Sequence, residues 1–293
     1  MSTIIYALLL TNILLGVLNN YLQKLFSLRF GNCKKALIGF NVIISASAAV
    51  MSFFIMLLSR AGITWPAILF GIPAGLGYFF GFYYHFLAFR EGGGVATASL
   101  FIQASMIAPV IGGWIIIGEP VLMSHIIGIL LLIIGIYIII TADERGHSMG
   151  SLKGIWYLVL ALLANAAISV CQKLYPYYFP EAETSCLSFS IFLFALLSSV
   201  IIYLSIKEES PRYSLSFYTI SGSEGVITCI RNLLSIFLAG RLAAAIQFPV
   251  SSSLGLTLTA IMSVVVFREK LSVKKAIGMV MCIIGCVYLG LQI

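Results

Sequence analysis

Ten apolar stretches of about 20 residues follow one another along this 293-residue chain, separated by breaks of a few polar or turn-forming residues. An apolar helix of about 20 residues crosses a hydrocarbon core of roughly 30 Å. Ten such crossings take up about 200 residues and leave only short connections. Hydrophobic residues make up 61% of the chain and charged residues 9%, too little charge to cover a water-soluble surface of this size. The solvent for most side chains is therefore lipid. Unpaired backbone groups are too costly there for anything but helices or closed barrels, and the unbroken apolar runs select helices.

The expected fold is an all-α integral membrane protein with ten transmembrane helices. The spans are read at 3–24, 36–58, 66–88, 95–117, 122–140, 152–174, 187–206, 217–239, 242–266 and 273–291. No cleavable leader is expected, because the first apolar run has no basic segment before it and carries several amides. The net charge of +7 is spread over short loops, which excludes a nucleic-acid-binding domain. The six cysteines have no metal-type spacing, so neither a metal nor a cofactor is expected.

An internal repeat organises the ten spans. Gly118-Glu119-Pro120 is followed by Gly128 and Gly135, and Arg268-Glu269-Lys270 is followed by Gly278 and Gly285. Glu and both glycines recur at an offset of 150. Gln23-Lys24-Leu25 recurs as Gln172-Lys173-Leu174, offset 149, and Phe86-Leu87-Ala88 as Phe237-Leu238-Ala239, offset 151. The chain thus divides into two five-helix repeats, residues 1–145 and 150–293. Five is odd, so the second repeat enters the membrane in the opposite sense and the repeats are inverted.

Two five-helix halves, a short connector with Glu before the last helix of each, and Gly-x6-Gly within that helix resemble the drug/metabolite transporter superfamily, EamA-like branch. The resemblance covers essentially the whole chain. Arg-Glu-Lys in the second half departs from the Gly-Glu pattern of the first. The resemblance implies a central cavity between the halves, alternating access and no ATP hydrolysis. It does not specify cargo. It also implies cytoplasmic termini. The chain's own loops imply the reverse, with thirteen Lys and Arg on one side against Arg60, Lys173 and Arg241 on the other. The positive-inside rule makes the richer side cytoplasmic and leaves both termini outside.

Polar side chains inside spans are costly unless paired or facing a cavity, so they mark the candidate site. Arg231 lies near the middle of the eighth span, and Glu224 is seven residues earlier on the same face. Arg231 either holds an anionic group of a cargo or pairs structurally. Glu224 either carries a coupling proton or caps the helix. The first span bears Asn12, Gly16, Asn19, Asn20 and Gln23 on one face, and the sixth bears Asn165, Ser169 and Gln172. These matched stripes either face one cavity, with Asn20, Gln23, Asn165 and Gln172 touching cargo, or bond helix to helix. Gln103 in the fourth span and Gln247 and Ser251 in the ninth are further candidates, beside Pro109 and Pro249, which are either hinges or tolerated kinks. Tyr84 either lines the site or belongs to an interfacial aromatic belt. His85, at the end of its span, is either an interfacial residue or a second candidate proton carrier. Lys24 and Lys173 are expected to snorkel to opposite membrane surfaces.

No Walker loop, HExxH or GxSxG is present, and an enzyme is not expected. The expected function is secondary transport of a small polar or amphipathic solute, such as an amino acid or other organic acid, across a bacterial plasma membrane. The expected partners are that solute and membrane lipids, with the protein a monomer or homodimer. The alternatives are a multidrug or cation exporter, which needs a cavity carboxylate, and a lipid or glycolipid flippase, which needs a cavity open to lipid.

Overall fold

The computed structural model describes residues 2–30, 33–90, 102, 104–141, 152–207, 213–267 and 272–290, and among them every regular element is helical. Ten helices follow in order. They are α1 (Ser2–Phe30), α2 (Lys34–Leu58), α3 (Trp65–Arg90), α4 (Ile107–Gly112), α5 (Met123–Thr141), α6 (Leu152–Tyr178), α7 (Thr184–Ser205), α8 (Leu215–Ala239), α9 (Ala244–Phe267) and α10 (Val273–Gly290). Seven are long and apolar enough to cross a membrane: α1, α2, α3, α6, α7, α8 and α9. Exposed Leu, Ile, Val, Phe and Trp along them provide the surface that lipid covers.

Most of the fourth expected span, with Ser99 and Gln103, lies outside the described residues. Its last part is α4, which widens into a π turn over Gly113–Ile117. The turn ends at Gly118, whose φ of +76° is a left-handed conformation that glycine adopts without strain. The sixth span runs four residues further than expected, because Pro176 sits inside the last turn of α6 rather than ending it.

The chain forms two compact units, and each takes residues from both halves of the sequence. The first comprises Met1–Phe79 and Tyr175–Gly240, the second Phe80–Leu174 and Arg241–Ile293. In the first unit, α2 packs on α7 and α8, and α8 also packs on α1. Glycines allow the close approaches. A Cβ on Gly75 of α3 would lie 2.5 Å from the Ile191 carbonyl oxygen of α7. One on Gly225 of α8 would lie 2.5 Å from the Ile44 carbonyl oxygen of α2. Aromatic rings close one end of the α1–α8 contact. Phe26 stacks on Phe40 at 3.7 Å, Tyr213 stacks on Phe217 at 4.1 Å, and Phe217 meets Phe26 edge-on at 5.3 Å. Tyr213 lies between the spans, where burial and the hydroxyl of Tyr203 hold its phenol above the usual tyrosine range.

In the second unit, α5 and α10 are antiparallel along glycine faces. A Cβ on Gly128 would lie 3.0 Å from the Gly285 carbonyl oxygen, and one on Gly135 would lie 2.9 Å from that of Gly278. Gly81 of α3 similarly makes room for the Asn165 amide of α6.

The turn after α2 carries the only left-handed non-glycine among the described residues, Arg60 at φ +53°. The Arg60 N–H donates to the Leu57 carbonyl and the Ala61 N–H to the Met56 carbonyl, so the turn itself is well bonded. Arg60→Gly removes the strain and keeps the bonds. It is expected to raise stability by up to about 1 kcal/mol, read as an apparent melting temperature about 2 °C higher.

Candidate functional site

The polar face of α1 is matched, residue for residue, by a polar face of α8 within the first unit. At one end the Asn12 amide donates to the Arg231 backbone carbonyl at 3.1 Å. One turn along, the Arg231 guanidinium lies over Gly16, where a Cβ would be 3.1 Å from Nη2 and 3.2 Å from Cζ. The Asn19 amide donates to Thr228 Oγ1 at 2.9 Å. At the far end Gln23 Nε2 donates to Glu224 Oε1 at 2.7 Å. Residues 12, 16, 19 and 23 share one face of a 3.6-residue helix, and so do 224, 228 and 231. The two faces therefore meet along about 10 Å of axis.

This seam is incompletely satisfied. Arg231 Nε, Asn19 Oδ1 and Glu224 Oε2 are buried without a hydrogen-bond partner. Glu224 is 1% exposed and Asn19 3%. Among the described residues no carboxylate forms an ion pair with Arg231. Buried polar atoms are nearly always bonded, so three orphans on one seam make it the candidate site. The backbone around Arg231 is firmly held. Asn232 accepts from the Tyr78 hydroxyl at 3.3 Å and donates to Ser188 Oγ at 3.0 Å, which ties α8 to α3 and α7.

The aromatic cluster of Phe26 and Phe217 lies one turn beyond Gln23 and two turns beyond Glu224, on that side of the seam. At the opposite end, about one turn beyond Asn12 and Arg231, a cavity of about 280 Å³ is lined by Leu8, Leu233, Leu234, Glu183 and Ser185, among others.

The expected site residues fall into two groups. Arg231, Glu224 and Gln23 share the seam of the first unit. Asn20 lies at its edge and is exposed. The second unit holds Asn165, Gln172, Gln247, Ser251, Tyr84 and His85. Asn165 Nδ2 donates to the Ala161 carbonyl of its own helix at 2.8 Å. Gln172 and Gln247 are buried, and Ser251 is half-buried. Tyr84 stacks between Phe80 and Tyr157, with centroids at 5.6 and 6.2 Å. His85 is half-buried at the end of its span. Gln103 lies outside the described residues.

Lys173 does not snorkel. It is 4% exposed, and its Nζ lies 2.5 Å from Glu119 Oε1 and donates to the Leu242 carbonyl at 2.8 Å. Glu119 Oε2 accepts the Ala244 N–H at 2.8 Å, at the first residue of α9. The carboxylate fits because Gly113 has no side chain, a Cβ there lying 2.7 Å from Glu119 Oε2. Pairing with a charge across sequence is what keeps a lysine from reaching for the interface. Thr228 and the Glu119–Lys173 clasp were missed by the sequence reading. Thr228 lies four residues after Glu224 and three before Arg231, so helical spacing was the available signal.

Together these features define a multi-pass helical integral membrane protein. No protein-family model matches the sequence. No curated protein matches it either. In three dimensions the chain is similar to a crystal structure of a protein that shares 17% of its sequence, over 97% of this chain and 99% of that one, with a TM-score of 0.77. At that identity the likeness concerns the fold alone.

Proposed function

We propose that the protein is a secondary active transporter of the drug/metabolite type, in a bacterial plasma membrane. It moves a small polar or amphipathic solute bearing an anionic group by alternating access between two inverted five-helix repeats. The observation that carries this reading is Arg231, a cation in mid-span with a buried, unpartnered Nε and no ion pair among the described residues. A guanidinium N–H buried there without a hydrogen-bond partner is costly, and an anionic ligand relieves the cost. Glu224, buried with one oxygen unpartnered, is the candidate for a coupling proton, with His85 second.

The repeat reading draws support from contacts that recur at its offset. Gly16 admits Arg231, and their mates Asn165 and Gly81 make the reverse contact. Gly75 approaches α7 as Gly225 approaches α2. Exchanging residues by 150 maps the α5–α10 glycine contact onto itself, as antiparallel, two-fold-related helices require.

The test is thermal unfolding of the detergent-purified protein against amino acids, organic acids, sugars, phosphorylated metabolites and organic cations. A ligand at about 100 times its Kd adds about 2.7 kcal/mol to the folded state. The expected result is stabilisation by a compound with a carboxylate or phosphate, lost in Arg231→Met. Stabilisation by cations alone, lost in Glu224→Gln, would replace this reading with a cation exporter. Unchanged uptake and efflux of the stabilising compound in both Arg231→Met and Asn20→Ala would also sink it.

A further inference from the structure

We infer that the α1–α8 seam is built for a zwitterion, its anionic end on Arg231 and its ammonium on Glu224 and Asn19. This rests on the transporter reading above and narrows its cargo. The orphaned atoms are of two kinds. Arg231 Nε is a donor, while Glu224 Oε2 and Asn19 Oδ1 are acceptors. A simple anion satisfies only the donor. It leaves both buried acceptors unbonded and sets its own charge near the Glu224 carboxylate. An organic cation satisfies the acceptors and is repelled by the guanidinium. A molecule carrying both charges satisfies all three atoms.

The spacing sets a scale. Arg231 and Glu224 are seven residues apart, about 10 Å along the helix, and their α1 contacts Gly16 and Gln23 are separated by the same seven residues. A charge-assisted hydrogen bond of about 2.8 Å at each end leaves about 5 Å of that axis for the ligand. That is the reach of a zwitterion with a short carbon chain between its charges. Asn19 lies between the two ends and offers its acceptor part-way along. The acceptors also cannot turn away, because the other atom of each side chain is already committed: Asn19 Nδ2 to Thr228 and Glu224 Oε1 to Gln23.

The charge beside the seam points the same way. The cavity beside the Arg231 end is lined by Glu183 together with Leu8, Leu233 and Leu234. A carboxylate beside that end of the seam disfavours a bare anion near Arg231. It acts far less on a molecule with no net charge. The end nearer Gln23 and Glu224 lies towards the Phe26–Phe217 contact.

The experiment compares matched probes on the full-length protein in detergent, by thermal unfolding. Glycine, β-alanine and γ-aminobutyrate are set against the acids that lack the amine (acetate, propionate, butyrate) and the amines that lack the acid (methylamine, ethylamine, propylamine). The expected result is that at least one zwitterion stabilises the wild type at a concentration ten-fold or more below its acid and its amine. Arg231→Met and Glu224→Gln should each remove that advantage. The wild-type comparison decides the matter even if neither variant folds. Equal stabilisation by an acid and its zwitterion overturns the zwitterion assignment and leaves the anion transporter standing. Stabilisation by amines alone overturns both, and stabilisation by none of the nine probes overturns the zwitterion assignment.

Discussion

Lys173→Met lowers the apparent melting temperature of the detergent-solubilised protein by on the order of 10 °C, a larger loss than any surface substitution produces. The substitution leaves the half-buried Glu119 carboxylate beside α9 with its countercharge gone and only the Ala244 N–H to hold it. Breaking a buried pair by removing one partner costs about 3–5 kcal/mol, and each kcal/mol is worth about 2–4 °C in a chain of this order of size. Glu119→Gln costs less, because an amide oxygen still accepts the Ala244 N–H and Lys173 keeps the Leu242 carbonyl. The double variant Lys173→Met, Glu119→Leu recovers part of the loss, since no unpaired charge remains. With Glu119→Leu as the second single variant the four proteins form a cycle, and its coupling term isolates the pair. Additivity of the two single losses within about 0.5 kcal/mol would mean the clasp contributes nothing as a pair.

Under the proposed transport function, the clasp also bears on activity. It fixes the first turn of α9, where the Glu119 carboxylate occupies the positive end of the helix and satisfies an N–H that lacks an intrahelical partner. Gln247 lies in that same turn and Ser251 one turn further. Losing the clasp is therefore expected to impair transport of an identified substrate even under conditions where the protein stays folded.

Seven of the ten expected spans were legible because hydropathy reports them directly. Lipid imposes one rule on every crossing segment, and seven helices agree with it by length and composition. The polar seam was legible in part. Asn12, Gly16, Asn19 and Gln23 fall on one helical face, as do Glu224 and Arg231, but spacing on one helix does not say which helix it meets. That Gly16 faces Arg231 is a fact of packing between residues 215 positions apart. Spacing also placed Asn20 on the stripe, and it lies at the stripe's edge, exposed. Lys173 was misread for a related reason. A lysine near the end of a span has an interface within reach, and only the fold brings Glu119, from 54 positions earlier, to its side. Long-range pairing of charges is not written in the local pattern of either segment.

Two glycines of α8, three residues apart, are expected to differ sharply when substituted. Gly225 faces α2, and a Cβ there would overlap Ser47 Oγ and lie 2.5 Å from the Ile44 carbonyl oxygen. Backbone of the neighbouring helix cannot rotate away as a side chain does, so the helices must part. Gly225→Leu is expected to cost about 3 kcal/mol or more, at the upper end for overpacking. Gly222 has nothing within 4 Å of such a Cβ. Gly222→Ala is expected to be neutral or stabilising by up to about 1 kcal/mol, because alanine favours the helix. The functional difference should exceed the difference in stability. Parting α8 from α2 shifts Glu224, the immediate neighbour of Gly225, along with Thr228 and Arg231 against α1. A seam whose bonds are 2.7 to 3.1 Å long does not survive a displacement of about 1 Å. Ligand-dependent stabilisation should therefore disappear in Gly225→Ala, where the added methyl is small enough to leave a folded protein, and persist in Gly222→Ala. The same response to ligand in both variants would show that the α1–α8 seam is not where the ligand binds.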